Sequence, residues 1–487
     1  MKNRQKRSLS LHYHPTHATD AATNRCQSDK PRRRWPLEAY AGQTPMRTRA
    51  AKTKTAFQSQ GAANGEQRIA SGSRSFFQKL GPGLVTGASD DDPSGIGTYS
   101  QVGAQFGYGM LWTMVLSYPL MVAIQEISAR IGRVTGVGIA ANLRKNSPKP
   151  LLYGVLFAVS VANVFNLGAD IGAMGAATQL VLPGKISLFI VVFGVGSLAG
   201  VLVVPYSTYA KYLKWLTISL FAYVGVVFFA HVSWPAVVRA TLRPHIQLTK
   251  GYLTALVAVL GTTISPYLFF WQASQEVEEV RNNRGEKPLK RAPSQAQEQL
   301  RRIRVDTYLG MAFSNLVAFF IILSAAATLH ARGITEISTS AQAAKALEPL
   351  AGRFAFLLFV CGIVGTGLLA VPVLAASACY GIGEACRWKT SLERKPWDAA
   401  RFYAAITTAT LTGLSLNFMH IDPIKALFWA AILNGVVAAP LMAIIMILAS
   451  SKKVMGQFVI SHRLKAMGWL ATSVMLCVCI GVFVTRK

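Results

Sequence analysis

Beyond residue 80 the chain alternates between long apolar runs and short polar joints rich in Lys and Arg. Eleven runs are long enough to cross about 30 Å of hydrocarbon. They cover 80–107, 109–131, 151–181, 185–204, 212–231, 251–280, 304–330, 353–385, 399–419, 424–449 and 466–485. The pattern predicts an all-α polytopic membrane protein with about 11 transmembrane helices. Two runs are interrupted. The first contains Asp90-Asp91-Asp92-Pro93-Ser94-Gly95, and the sixth contains Thr262-Thr263-Ile264-Ser265-Pro266-Tyr267. Proline removes a backbone donor and blocks a regular helical turn. Non-helical backbone at membrane depth is tolerated only where it is buried or lines a wet cavity. Carboxylates at that depth are costly and usually functional. A matched pair of broken spans points to a secondary-transporter binding site.

The spacing of the breaks also predicts topology. Spans one to five and six to ten form two halves, and an odd number of spans per half inverts the second against the first. The expected organisation is a polar tail over 1–75, a first repeat over 76–231 and a second over 251–449, with an extra helix over 466–485.

Hydrophobic residues make up 52% of the 487 and charged residues 15%, which excludes an ordinary soluble protein. The net charge of +29 raises nucleic acid as a partner, but its distribution argues against that. Of 50 Lys and Arg, 16 lie before residue 80, and most others sit in joints between spans. With the N-terminus cytoplasmic, about 40 of the 50 fall inside, as the positive-inside rule requires, and the C-terminus lies outside. The tail reads as disordered, basic and cytoplasmic. A mitochondrial-type transit peptide, or a start codon placed upstream of a truer start at Met46, are its other readings. Of the six cysteines, Cys361, Cys379, Cys386, Cys477 and Cys479 fall in or beside apolar spans, and Cys26 in the tail; their spacing supports neither a zinc site nor a disulfide framework.

Breaking a helix frees carbonyls on one side of the gap and N–H groups on the other. Carbonyls, hydroxyls and carboxylates are hard donors suited to Mg2+, Ca2+ and Mn2+. Asp92 is the leading anionic ligand, with a helix cap as its other reading; Asp90 and Asp91 are secondary candidates. In the second gap the hydroxyls of Thr262, Thr263 and Ser265 either meet a hydrated ion or satisfy freed backbone, and Tyr267 walls the cavity. No Met, Cys or His lies within 262–268, which suits Mg2+ better than a metal that benefits from sulfur. Gln272, Gln275, Glu276, Glu278 and Glu279 form either an acidic vestibule or, as the favoured reading, a helix end at the headgroups. Asp170, with Asn163 and Asn166 nearby, either pairs with a neighbouring helix or shapes an ion path. His420 and Asp422 read as a solvated outer turn, and Asn434-Gly435 as a helix–helix contact or a more distant part of the site. No nucleophile–base pair or metal-hydrolase motif is present, so no enzyme and no resident cofactor are expected.

These residues resemble the Nramp family of divalent-metal transporters. The resemblance runs through Gly81-Pro82-Gly83, Asp92-Pro93, Gly103-Ala104-Gln105-Phe106-Gly107-Tyr108 and Ser128-Ala129-Arg130, then weakly through Gly261 to Ser274, and covers most of 78–449. It implies a LeuT-like 5+5 inverted repeat with the metal between unwound helices 1 and 6. The family's Asp-Pro-Gly-Asn stands here as Asp92-Pro93-Ser94-Gly95, so Gly95 replaces the metal-binding Asn. Its Ala-x-x-Met-Pro-His stands as Thr262-x-x-Ser265-Pro266-Tyr267, so Ser265 replaces the Met and Tyr267 the His. The family's Asp and Glu tied to proton movement fall on Asn166 and Ala169. This pattern resembles the Nramp-related magnesium transporters, a prokaryotic branch, and implies Mg2+ uptake without proton coupling across a bacterial inner membrane. The implied metal site is Asp92, Gly95, Thr262, Ser265 and Tyr267. A proton-coupled Mn2+ or Fe2+ importer is the main rival reading, and an organic-solute carrier the next; oligomeric state is left open.

Overall fold

The computed structural model describes residues 86–485 except 88, 206, 207, 210–215, 284 and 420. The tail over 1–75, the Gly81-Pro82-Gly83 turn and His420 lie outside the described residues. The described residues are helical or loop, with no strand among them.

Both predicted breaks are present, and each is made by a proline at the first turn of the helix that follows. Helical residues at 86, 87, 89 and 90 stop at Asp91, and α1 restarts at Pro93–Phe106. Asp92 caps it in an extended conformation (φ −72°, ψ 169°). In the sixth span, α8 (Lys250–Thr263) ends at Ile264, and α9 (Pro266–Asn282) begins after the extended Ser265. Proline at that position costs nothing, because its missing N–H would be unpaired anyway.

Between these breaks run α2 (Trp112–Thr135), the short α3 (Ile139–Asn146), α4 (Lys149–Thr178), α5 (Ile186–Val203), α6 (Phe221–Phe229) and the short α7 (Trp234–Leu242). After α9 come α10 (Ala296–Thr328), α11 (Ala355–Ala385), α12 (Ala400–Leu416), α13 (Pro423–Ser450) and α14 (His462–Val484). Asp422, read as a solvated outer acid, caps α13 by accepting from the N–H of Ile424 at 2.9 Å and of Lys425 at 3.1 Å.

Among the described residues, seven helical stretches are long and apolar enough to cross a membrane. They correspond to expected spans three, four, six, seven, eight, ten and eleven. The other four do not stand alone among these for different reasons. Span one is cut by its break, and α1 then turns by 108° into α2, which is span two. Gly107 makes that corner with φ +56°, and a side chain there would run into the His330 ring. Span five is described only from 216 onward, and α12, span nine, is 17 residues long.

α1 packs on α10 and α13, α9 on α2 and α11, and α4 on α11, α12 and α13, so the two breaks lie inside the bundle. Outward faces carry exposed apolar side chains such as Phe157, Leu188, Phe228 and Phe483. Small residues allow the closest crossings, as expected where helices pack without hydrophobic driving force. At α8 against α13, a Cβ on Gly261 would overlap the backbone of Ala431 and Gly435.

Candidate functional site

The head of α1 is built around one carboxylate. Oδ1 of Asp92 accepts from the N–H of Gly95 at 2.8 Å and from the Ser94 hydroxyl at 2.6 Å. Oδ2 accepts from Nδ2 of Asn166 on α4 at 2.9 Å. The Tyr267 hydroxyl lies 3.0 Å from the Ser89 carbonyl and 3.4 Å from Asp92 Oδ2. A carboxylate offers about four acceptor positions, so a cation that reaches Asp92 must replace a protein donor. The cap geometry is therefore present, and its longest contact is that of the Tyr267 hydroxyl.

The second break faces the first. A Cβ at Gly95 would lie 3.3 Å from Oγ1 of Thr262, so glycine allows α1 and α8 to approach closely here. Asp92, Gly95, Thr262 and Tyr267 are thus brought together. Ser265 is turned elsewhere: its hydroxyl donates to the Thr262 carbonyl at 2.7 Å and lies 3.2 Å from that of Gly261. Thr263 likewise donates to the Val259 carbonyl at 2.9 Å. The Ser265 hydroxyl satisfies carbonyls freed at the end of α8, one of the two roles open to it from sequence, whereas Thr263 back-bonds within the helix.

Three more acids surround Asp92. Asp90, Asp91, Asp92 and Asp170 are all about 1% exposed or less. The Ser314 hydroxyl on α10 lies 2.6 Å from Asp90 Oδ2 and 3.1 Å from Asp91 Oδ1. Among the described residues, Asp90 Oδ1, Asp91 Oδ2 and both carboxyl oxygens of Asp170 have no hydrogen-bond partner. Asn166 Oδ1 and both ends of the buried Asn434 amide are also unpaired. Among the described residues none of the ion pairs involves these four acids. Buried polar atoms normally find partners, so this concentration of bare oxygens is unusual. No three or more His, Cys, Asp or Glu converge as a ready metal cluster among the described residues. The donor set is instead carboxylate, amide, carbonyl and hydroxyl oxygen, which suits a hard cation that keeps some of its water.

Asp170 and Asn166, read from sequence as a helix contact or part of an ion path, stand four residues apart on one face of α4 and both belong to this arrangement. Sequence reasoning missed Ser314, a lone hydroxyl in an apolar span that carried no such signal.

The far end of α9 departs from both readings of its glutamates. Glu276 and Glu278 are buried, and Glu279 partly so, in contacts that lock α9 to its neighbours. Arg302 on α10 lies 2.6 Å from Glu276 and 3.0 Å from Glu279. Arg133 on α2 is 2.5 Å from Glu286 and 3.9 Å from Glu276. Tyr380 on α11 donates to Glu278 at 2.5 Å. Glu276 and Glu279 face protein cations and Glu278 a phenol hydroxyl, because a charge without a partner at this depth would be strongly penalised. Gln272, nearer the break, accepts from the Thr86 hydroxyl.

Residues 83–485 match the family described as Natural resistance-associated macrophage protein-like, or Nramp. The divalent metal cation transporter MntH of Klebsiella pneumoniae subsp. pneumoniae is 25% identical over 411 residues, which cover 82% of this chain and 91% of that protein. The protein of the same name from Erwinia tasmaniensis is 26% identical over 323 residues, covering 63% and 72%. Among solved structures, a crystal structure of the Eremococcus coleocola manganese transporter with an aromatic bis-isothiourea substituted compound superposes with a TM-score of 0.67. It is 16% identical, and the alignment covers 85% of this chain and 90% of that one, so the likeness is one of fold. The chain belongs to the Nramp family and is a multi-pass membrane protein of a transporter family, not an enzyme.

Proposed function

We propose that this member of the Nramp family carries a divalent cation across the membrane between α1 and α9, and that the cation is Mg2+ entering without a coupled proton. The observation that carries the reading is the group of four buried acids at the break, with four unpaired carboxyl oxygens and no basic partner among the described residues. Such a site attracts cations and repels anions. Relatives named as divalent metal cation transporters, and a structural neighbour named as a manganese transporter, support the divalent charge.

The finer assignment rests on which donors are present. Asp92 supplies the anionic contact, while carbonyls and hydroxyls near Gly95, Thr262, Ser265 and Tyr267 complete a loose oxygen shell with retained water. No sulfur or imidazole is offered within 262–268, which removes the usual preference for a softer metal. Asn166 beside Asp92 is a neutral amide and cannot take up a proton. The membrane potential supplies the drive, about 2.3 kcal/mol per charge per 100 mV. We place the protein in a bacterial inner membrane with the basic loops and N-terminus cytoplasmic, the inverted repeats over 76–231 and 251–449, and an added helix over 466–485. Mn2+ shares enough oxygen chemistry to pass as well.

The test is metal entry into liposomes bearing the purified protein, with a Mg2+-sensitive dye inside and a pH dye in parallel vesicles. Saturable Mg2+ entry without acidification, lost in Asp92→Ala, is the expected result. Mn2+ entry with acidification and no Mg2+ entry would instead make the protein a proton-coupled transition-metal importer.

A further inference from the structure

We propose that the groove between α2, α10 and the start of α14 is a binding site for the headgroup of an anionic phospholipid. The groove encloses about 370 Å³ and lies on the flank of the bundle, away from the broken helices. Its polar wall carries Arg130, Arg304 and Arg463 against a single acid, Glu126. Its apolar wall is made by Pro119, Val122, Leu464 and Met467. The charge balance is two positive, from three Arg less one Glu, and one phosphodiester brings one negative charge.

The buried side of the groove is not satisfied by the protein. Arg130 is 8% exposed; its Nη2 pairs with Glu126, yet its Nε has no partner. Arg304 stands 3.5 Å from the same Glu126 oxygen, so one carboxylate is shared by two guanidinium groups. Arg463 has no ion pair among the described residues and sits in the first turn of α14, where the positive end of the helix dipole adds to its field. A phosphate group accepts from several donors at once and matches the guanidinium fork.

The surroundings select a lipid over a free anion. Leu309 follows the groove residue Tyr308, Trp469 and Leu470 lie two and three residues after the groove residue Met467, and all three expose apolar side chains. A headgroup held by the arginines would leave its acyl chains along that surface. Basic pockets between transmembrane helices, on the side with the positive loops, are where anionic headgroups are held. The three arginines belong to the basic-loop end of the chain, so the lipid comes from the inner leaflet in the orientation given above.

The experiment uses full-length protein in a neutral detergent. Retention of dioleoyl phosphatidylglycerol and of dioleoyl phosphatidylcholine is measured by native mass spectrometry, and the melting temperature is followed with each lipid or with inorganic phosphate alone. Wild type should hold phosphatidylglycerol at least about tenfold more tightly than phosphatidylcholine, the least expected from a charge-assisted hydrogen bond. The double variant Arg304→Gln/Arg463→Gln changes exposed side chains and should still fold, but should lose that preference. Arg353→Gln, at the opposite end of the bundle, should keep it. Equal retention of the two lipids by wild type, or an undiminished preference in the double variant, overturns the proposal. Stabilisation by inorganic phosphate alone as large as that by phosphatidylglycerol also overturns it, in favour of a free-anion site.

Discussion

The side-chain amide of Asn166 on α4 donates to Oδ2 of Asp92 at the head of α1 across 2.9 Å. An amide holds the carboxylate without ever taking or giving up a proton. Replacing it by Asn166→Asp puts a second carboxyl at hydrogen-bond distance, and two carboxyls so close cannot both ionise freely. A cation binding there must then drive out the shared proton. Uptake by Asn166→Asp should rise from mildly acid to mildly alkaline pH, and metal entry should release protons, while wild-type uptake stays nearly flat. Parallel metal and pH dyes in liposomes measure both. A flat profile in the variant would show that this position does not face the ion.

Ser265 bears on metal choice. Its hydroxyl caps the Thr262 carbonyl at 2.7 Å and is not turned toward Asp92. Ser265→Met removes that cap, at a cost of about 1 kcal/mol, and brings a polarizable thioether to the gap. Soft ligands favour soft metals, so Cd2+ and Mn2+ should compete with Mg2+ more strongly in the variant. The measurement is inhibition of Mg2+ entry by Cd2+, compared between variant and wild type. An unchanged inhibition curve would place residue 265 outside the reach of the ion.

Much of this architecture was legible in the sequence because its determinants are local. Pro93 and Pro266 forbid a continuous helix wherever they stand, and an uninterrupted apolar run cannot hide a carboxylate triplet. Clusters of Lys and Arg mark the loop ends for the same reason. What was not legible depends on rotation of one helix against another. The run of Glu276, Glu278 and Glu279 reads as a wet helix end until α2 and α10 bring Arg133 and Arg302 to it. Tyr267 reads as a cavity wall, but its hydroxyl ties α9 to the Ser89 carbonyl ahead of the first break. Asp422 caps α13 through backbone contacts two and three residues away, a local signal the solvated reading passed over.

Close packing behind the site gives a prediction about stability. Gly261 ends one residue before Thr262, and its Cα faces the Ala431 carbonyl and Gly435 with no room for a methyl group. Gly261→Ala must push α8 away from α13, and overpacking of this kind costs about 1–3 kcal/mol. The variant should melt at a lower temperature in detergent. Gly435→Ala strains the same crossing, so the double variant should lose less than the sum of the two singles. Additive losses would mean that the two glycines relieve separate contacts.

The Arg302 and Glu276 pair tests whether the network at the end of α9 holds the bundle together. Glu276 is fully buried, whereas the Arg302 side chain is 19% exposed and also reaches Glu279. Removing one member of a buried pair leaves a charge without compensation, which typically costs about 3–5 kcal/mol. Here the lower end of that range applies, because Arg133 stands 3.9 Å from Glu276 and supplies a second positive charge. Arg302→Gln should therefore lower the unfolding free energy by about 3 kcal/mol. Glu276→Gln should cost less, since Arg302 keeps Glu279 and retains partial access to water. The double variant should recover part of the loss of Arg302→Gln, because it no longer leaves Glu276 charged. Raised ionic strength should weaken this coupling little, since salt screens buried pairs poorly. Denaturant titration of the four proteins gives the coupling energy directly. A double variant as unstable as the sum of the singles would mean that α9 is held by its packing on α2 and α11, and that the ion pairs only neutralise charges the packing has buried.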